Sequence, residues 1–257
     1  MVVPQVAQQP QPTSVGVVAE GLRKLKTAAL LQIVAIVLGV ALVFVASTAL
    51  VSILPSVTEG IQGELLQWAI LVLPIVTAVA IIVLAIISIY AYLLPSAKRF
   101  AKWMPGEFST PLTLMRIWYV WGAVVLLAAL AIIFTGIGVG LAIGGLEAGS
   151  LTIVAVVLAA LVLAFIAIIM FFIGAVGSVV YLFRLSSVFH SAQFQVAAVL
   201  IIVGIALSIA LSALATVPFI GFTLSTIASI LSFIAWILIY IEAGSLEEKV
   251  LQGLVQV

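Results

Sequence analysis

Cysteine, asparagine and aspartate are all missing from this 257-residue chain, and the charge that remains is sparse: nine Lys and Arg, eight acids and one His. Without cysteine there is no disulfide, no thiol nucleophile, no iron–sulfur cluster and no cysteine-based zinc site. Without asparagine there is no N-glycosylation acceptor. Asn and Cys are thermolabile, so their joint absence points toward a thermophilic lineage. Charged residues make up only 7% of the chain, against ~25% in soluble domains. So few charges cannot cover a soluble fold of this size.

What is present is apolar. Hydrophobic residues account for 66% of the chain and the mean hydropathy is +1.51, the composition of an integral membrane protein. A span needs roughly 20 apolar residues. On that measure spans fall at about 27–54, 64–94, 112–143, 151–185, 192–216 and 219–242, with Pro55 and Pro95 closing the first two. The last apolar stretch, 192–241, would be about 75 Å long as one helix, so it is divided at Pro218 and Gly221. The expected fold is all-α: a polytopic six-helix bundle of three antiparallel hairpins.

Charge placement orients it. Arg23, Lys24 and Lys26 precede span 1. Lys98, Arg99, Lys102 and Arg116 lie around the turn from span 2 to span 3, Arg184 lies between spans 4 and 5, and Lys249 follows span 6. All nine bases thus lie on one side, while Glu59, Glu64 and Glu147 occupy the other. The positive-inside rule makes that basic side cytosolic, with both termini there. The five Tyr and four of the five Trp gather at the same ends of the spans, an aromatic belt biased to one leaflet. The stretch AEGLRKLK at 19–26 is no secretion signal, because its apolar follow-on far exceeds the ~7–15 residues of a signal core.

Little chain lies outside the spans. Residues 1–16 are Gln- and Pro-rich and uncharged, and read as a disordered cytosolic tail. The membrane domain covers 17–244. An amphipathic segment begins it, with Val18, Leu22 and Leu25 on one face. KRFAKWM, at 98–104, suits the headgroup layer, aromatics down and bases outward. Residues 245–257, opening on the capping box Ser245-Leu-Glu-Glu248, read as a short amphipathic cytosolic helix. Arg23, Lys24, Lys26, Lys98, Arg99, Lys102, Trp103 and Arg184 are the expected lipid-interface anchors.

No charged residue or His lies near the middle of any span, which argues against a proton relay or a voltage sensor. Small residues instead recur at intervals of four: Gly136, Gly140 and Gly144 in span 3, Gly204, Ser208 and Ser212 in span 5, Gly221, Ser225 and Ser229 in span 6. Such ladders let helix backbones approach closely, and spans 5 and 6 are expected to face each other through theirs. The alternative use of the same hydroxyls is to line a polar path. Pro74 is expected to kink span 2. The lone His190, in the turn RLSSVFHSAQFQ, forms neither a metal site nor a triad.

EGLRKLKTAALL, opening span 1, and GFTLSTIASILSFIAWILIYIEAGS, closing the bundle, resemble the archaeal multi-span membrane proteins of domain-of-unknown-function family 973, over a layout of roughly 17–245. The resemblance implies an archaeal cytoplasmic membrane and carries over no catalytic residues. The expectation is a non-enzymatic structural or accessory subunit, with membrane lipids as partners and either homo-oligomerisation or other membrane subunits. Neither cofactor, metal nor nucleic acid is expected. A carrier or channel for a small neutral or apolar solute is the alternative.

Overall fold

The computed structural model describes residues 12–56, 76–77, 79–148, 150–213 and 218–255, with side chains defined over 14–42, 76–77, 79–136, 154–210 and 226–255. The described chain is helical throughout, with no strand, and contains six helices long and apolar enough to cross a membrane. They are α1 (Pro12–Ser56), α2 (Val79–Trp103), α3 (Pro105–Ala148), α4 (Ser150–Phe189), α5 (Ala192–Ala213) and α6 (Pro218–Leu251).

Helix boundaries follow proline and serine chemistry. Proline opens α1, α3 and α6, where its missing N–H would have no intrahelical partner. Between α4 and α5, His190 adopts a left-handed backbone (φ 53°). The Ser191 N–H then donates to the Ser186 carbonyl at 3.1 Å, closing α4 with a Schellman motif. Ser191 also caps α5, its Oγ accepting from the Phe194 N–H.

The helices extend further than the apolar segmentation suggests. α1 is one continuous helix of 45 residues, so the amphipathic segment and span 1 are a single rod. It starts at Pro12, inside the 1–16 stretch read as disordered. α6 likewise runs unbroken to Leu251, so 245–251 continues the sixth span and is no separate helix. The second span does not stop at Pro95. A π-helical segment, Ser88–Leu93, precedes it, with the Leu94 N–H donating five residues back to Ile89. That widened turn sets Pro95 at the start of a fresh α-helical stretch, Leu94–Trp103, where a proline is tolerated. Pro74 lies outside the described residues. Of the expected break near Pro218, α5 is described to Ala213 and α6 from Pro218, and residues 214–217 lie outside the described residues.

Rod lengths locate the membrane. At 1.5 Å per residue α1 and α3 are about 67 Å long and α4 about 60 Å, twice the ~30 Å of hydrocarbon. The surplus has to project from the bilayer or tilt within it.

Two compact units form, one comprising Met1–Gly106 and Leu182–Val257, the other Glu107–Tyr181. In the first, α1 packs chiefly on α6 and α2, and α5 on α6. Its core gathers at the basic ends of the helices: Val18, Leu22, Leu25 and Ala29 of α1, Ala97 and Phe100 of α2, and Ile239, Ala243, Leu246 and Val250 of α6 are buried. Away from that end Val34, Val37, Val40, Ile82, Val83, Ile86, Ile202 and Val203 are exposed. Apolar side chains left uncovered on this scale require lipid around them.

The second unit is α3 against α4, and its seam repeats every seven residues. Phe108, Met115, Gly122 and Ala129 are buried on α3; Ala160, Ala167, Gly174 and Tyr181 on α4. A seven-residue repeat keeps one stripe of each helix on its partner and imposes a left-handed supercoil. The seam tapers from aromatic to small: Phe108 meets Tyr181 edge-on, with ring centroids 5.9 Å apart, and Gly136 lies so close to Val156 that a Cβ there would overlap it.

Candidate functional site

The richest polar constellation lies where the basic ends of α1 and α2 cross. Glu20 of α1 accepts from Arg99 of α2 at 2.7 Å and pairs with Lys24 at 3.8 Å. One residue on, Ser96 donates to the Gly21 carbonyl at 2.7 Å. Two turns deeper, Ser88 donates to the Ala28 carbonyl at 2.9 Å. Gly21 is required by shape, since a Cβ there would fall 2.8 Å from the Phe100 ring. The two helices are thus joined by two hydroxyl-to-carbonyl bonds and one ion pair, and the π segment supplies Ser88.

Aromatics complete the junction. Trp103 stacks on Phe189 (5.9 Å between centroids, 24° between planes), and Phe100 meets both rings edge-on. Lys26 lies 5.6 Å above the Tyr240 ring, and its aliphatic stem lies against Gly244. This corrects the reading of 98–104 as a headgroup-layer segment with its aromatics in lipid: Phe100 is fully buried and Trp103 stacks on protein. The expected anchors divide accordingly. Arg99, Lys26 and Trp103 hold helices together and Lys24 pairs with Glu20 within α1, whereas Arg23, Lys98, Lys102 and Arg184 are exposed.

The small-residue ladders divide too. Gly136 abuts Val156. Gly204 faces α6, where a Cβ would lie 3.1 Å from Ser232 Oγ and 3.5 Å from the Ala228 carbonyl. Ser208 donates to the Gly204 carbonyl of its own helix at 2.9 Å. Ser229 is half-buried. Gly140, Gly144, Ser212, Gly221 and Ser225 lie outside the residues with described side-chain surroundings.

Further interhelical contacts lie off those ladders. In the second unit Tyr119 and Ser178 hydroxyls are 2.9 Å apart, and Ser178 also donates to the Gly174 carbonyl at 3.3 Å. Gly174 and Gly177 admit α3: Cβ atoms there would come within 2.7 Å of Tyr119 Cδ1 and 2.9 Å of Met115 Cγ. A scan at period seven, in place of four, would have found this seam. Among the described residues every buried side-chain nitrogen or oxygen has a partner, and no three His, Cys, Asp or Glu gather to hold a metal.

The chain matches no protein-family model, no curated protein and no solved structure. The geometry offers tight helix seams and self-satisfied hydroxyls, an arrangement suited to rigid association and lipid contact.

Proposed function

We propose that this integral membrane protein is a non-enzymatic structural or accessory subunit of a membrane assembly. It belongs in a cytoplasmic membrane, archaeal on the family 973 resemblance, with both termini cytosolic. The observation that supports this most is the use made of buried hydroxyls. Ser88, Ser96, Ser178 and Tyr119 are bonded to neighbouring helices, so these buried hydroxyls are engaged in packing. The one-sided distribution of all nine bases supports the orientation.

A second reading is a carrier for a small neutral or apolar solute. The π segment Ser88–Leu93 favours it, since such segments recur at functional hinges. One pair of measurements separates the two. Proteoliposomes are assayed for glycerol and urea flux, and native membranes solubilised in mild detergent are analysed by native mass spectrometry. A stoichiometric complex with no flux above empty liposomes is expected. Solute flux abolished by substitution at Ser88, from a protein that remains monomeric, would overturn the structural reading.

A further inference from the structure

The face of α3 turned away from its α4 seam carries a depression of about 410 Å³ lined by Leu112, Thr113, Arg116, Ile117, Val120 and Trp121. The lining residues recur at intervals of three and four, so they share one side of the helix. The seam residues Phe108, Met115 and Gly122 occupy the other. Arg116, Ile117, Val120 and Trp121 are all exposed.

Arg116 sits where the charge stops. The next charged residue along α3 is Glu147, and the uncharged run 117–146 is about 45 Å long at 1.5 Å per residue, ample for hydrocarbon. Arg116 therefore lies at the headgroup level of its leaflet, beside the interfacial indole of Trp121. A guanidinium there meets phosphate with a planar fork of donors. Thr113 has a different part. Its Oγ1 donates to the Ser109 carbonyl at 2.8 Å, so its proton is already engaged and the oxygen offers only lone pairs. Such a group accepts from a ligand hydroxyl. Ile117 and Val120 supply an apolar wall below. Phosphate recognition, a hydroxyl acceptor and an apolar floor lie along one strip of helix.

The geometry points to a binding site on α3 for one anionic phospholipid with a hydroxyl-bearing headgroup, of the phosphatidylglycerol class. Arg116 holds the phosphate, Thr113 accepts from the headgroup hydroxyl, Trp121 covers the glycerol backbone, and Ile117 with Val120 takes the upper acyl chain. The depression falls in the size range of small-molecule pockets. The charge complementarity excludes a zwitterionic lipid as the favoured occupant, because its ammonium would approach Arg116 with like charge.

The test uses the full-length protein in detergent, with phosphatidylglycerol and phosphatidylcholine titrated separately and bound lipid read by native mass spectrometry. Wild type is expected to retain one phosphatidylglycerol in preference to phosphatidylcholine. Arg116→Gln is expected to lower that retention about fivefold, the size of one basic side chain's contribution at an anionic headgroup. Lys249→Gln, an exposed base outside the depression, leaves it unchanged. Thr113→Val lowers phosphatidylglycerol retention but not that of phosphatidylmethanol, an anionic phosphodiester with no headgroup hydroxyl. Monodisperse elution and unchanged helical ellipticity establish folding. If Arg116→Gln aggregates, Thr113→Val and Trp121→Phe decide the matter, and both must weaken phosphatidylglycerol. Equal retention by wild type and Arg116→Gln, an equal loss in Lys249→Gln, or phosphatidylcholine held as firmly as phosphatidylglycerol would each overturn the assignment.

Discussion

Gly177 tests the seam most directly. A Cβ added there would lie 2.9 Å from Met115 Cγ, 3.0 Å from the Met115 backbone nitrogen and 3.1 Å from Leu114 Cβ. The side-chain atoms can rotate aside, but the backbone nitrogen can retreat only if α3 moves. Gly177→Ala thus overpacks against backbone, at the upper end of the ~1–3 kcal/mol such changes cost. Separation also stretches the Tyr119–Ser178 bond one residue away, worth ~0.6 kcal/mol in a membrane. Against this, alanine is the better helix former by ~1 kcal/mol. The net expectation is a loss of about 2–3 kcal/mol. Titration of the micelle-embedded protein with SDS, read by tryptophan fluorescence, measures it. Gly16→Ala is the control, because nothing lies within 4 Å of a Cβ there and only the helix-propensity gain applies. Gly177→Ala combined with Met115→Ala is expected to recover part of the loss, since the Cγ clash goes while the backbone one remains. A Gly177→Ala protein as stable as wild type would refute the claim that α3 and α4 meet backbone to side chain at this point.

Three further outcomes follow from the same geometry. Replacing His190 by glycine removes the penalty of a left-handed backbone on a residue with a Cβ, and is expected to raise stability by about 1 kcal/mol in the same SDS titration. Glu20→Gln weakens the ties to Arg99 and Lys24; the expected loss is about 0.5–1 kcal/mol at low salt, shrinking as salt rises, because all three side chains are partly exposed. Ser88→Ala with Ser96→Ala removes both hydroxyl bonds from α2 to α1, costing about 1–2 kcal/mol together. In cross-linking between cysteines introduced at 24 and 98, that double variant should show broadened reactivity; an unchanged yield would count against the two bonds fixing the helix pair.

Much of the molecule was legible in composition because lipid imposes so few solutions. A chain this apolar must satisfy its backbone internally, and helices do so segment by segment. Six apolar helices long enough to span follow from that alone. Local punctuation was less dependable. Pro95 reads as a stop because a proline inside an α-helix removes a bond, yet the π turn ahead of it absorbs the defect and carries the helix on to Trp103. Pro111 is likewise passed within α3. Polarity change also gave false ends at Thr27 and Glu242, where the chain leaves the apolar layer but the helix continues.

The seams depended on tertiary structure for a different reason. In an apolar span nearly every face is hydrophobic, so periodicity cannot mark which side a helix buries. Small residues at period four were conspicuous in 136–144 and 204–212, but which glycine meets which neighbour is set by supercoiling and by the partner's side chains. The α3–α4 pair chose period seven, and its deciding glycines, 174 and 177, were not on a ladder. The basic clusters show the same limit. That the bases keep to the ends of the spans follows from the sequence because charge must stay out of hydrocarbon. Whether Arg99 reaches lipid or Glu20, and whether Lys26 reaches lipid or Tyr240, depends on residues dozens to hundreds of positions away. The sequence by itself determined that this protein enters a membrane as helices and which of their ends carry charge, since burial in lipid is a property of each segment. Only the tertiary structure decided how those ends are tied, since pairing is a property of two segments brought together.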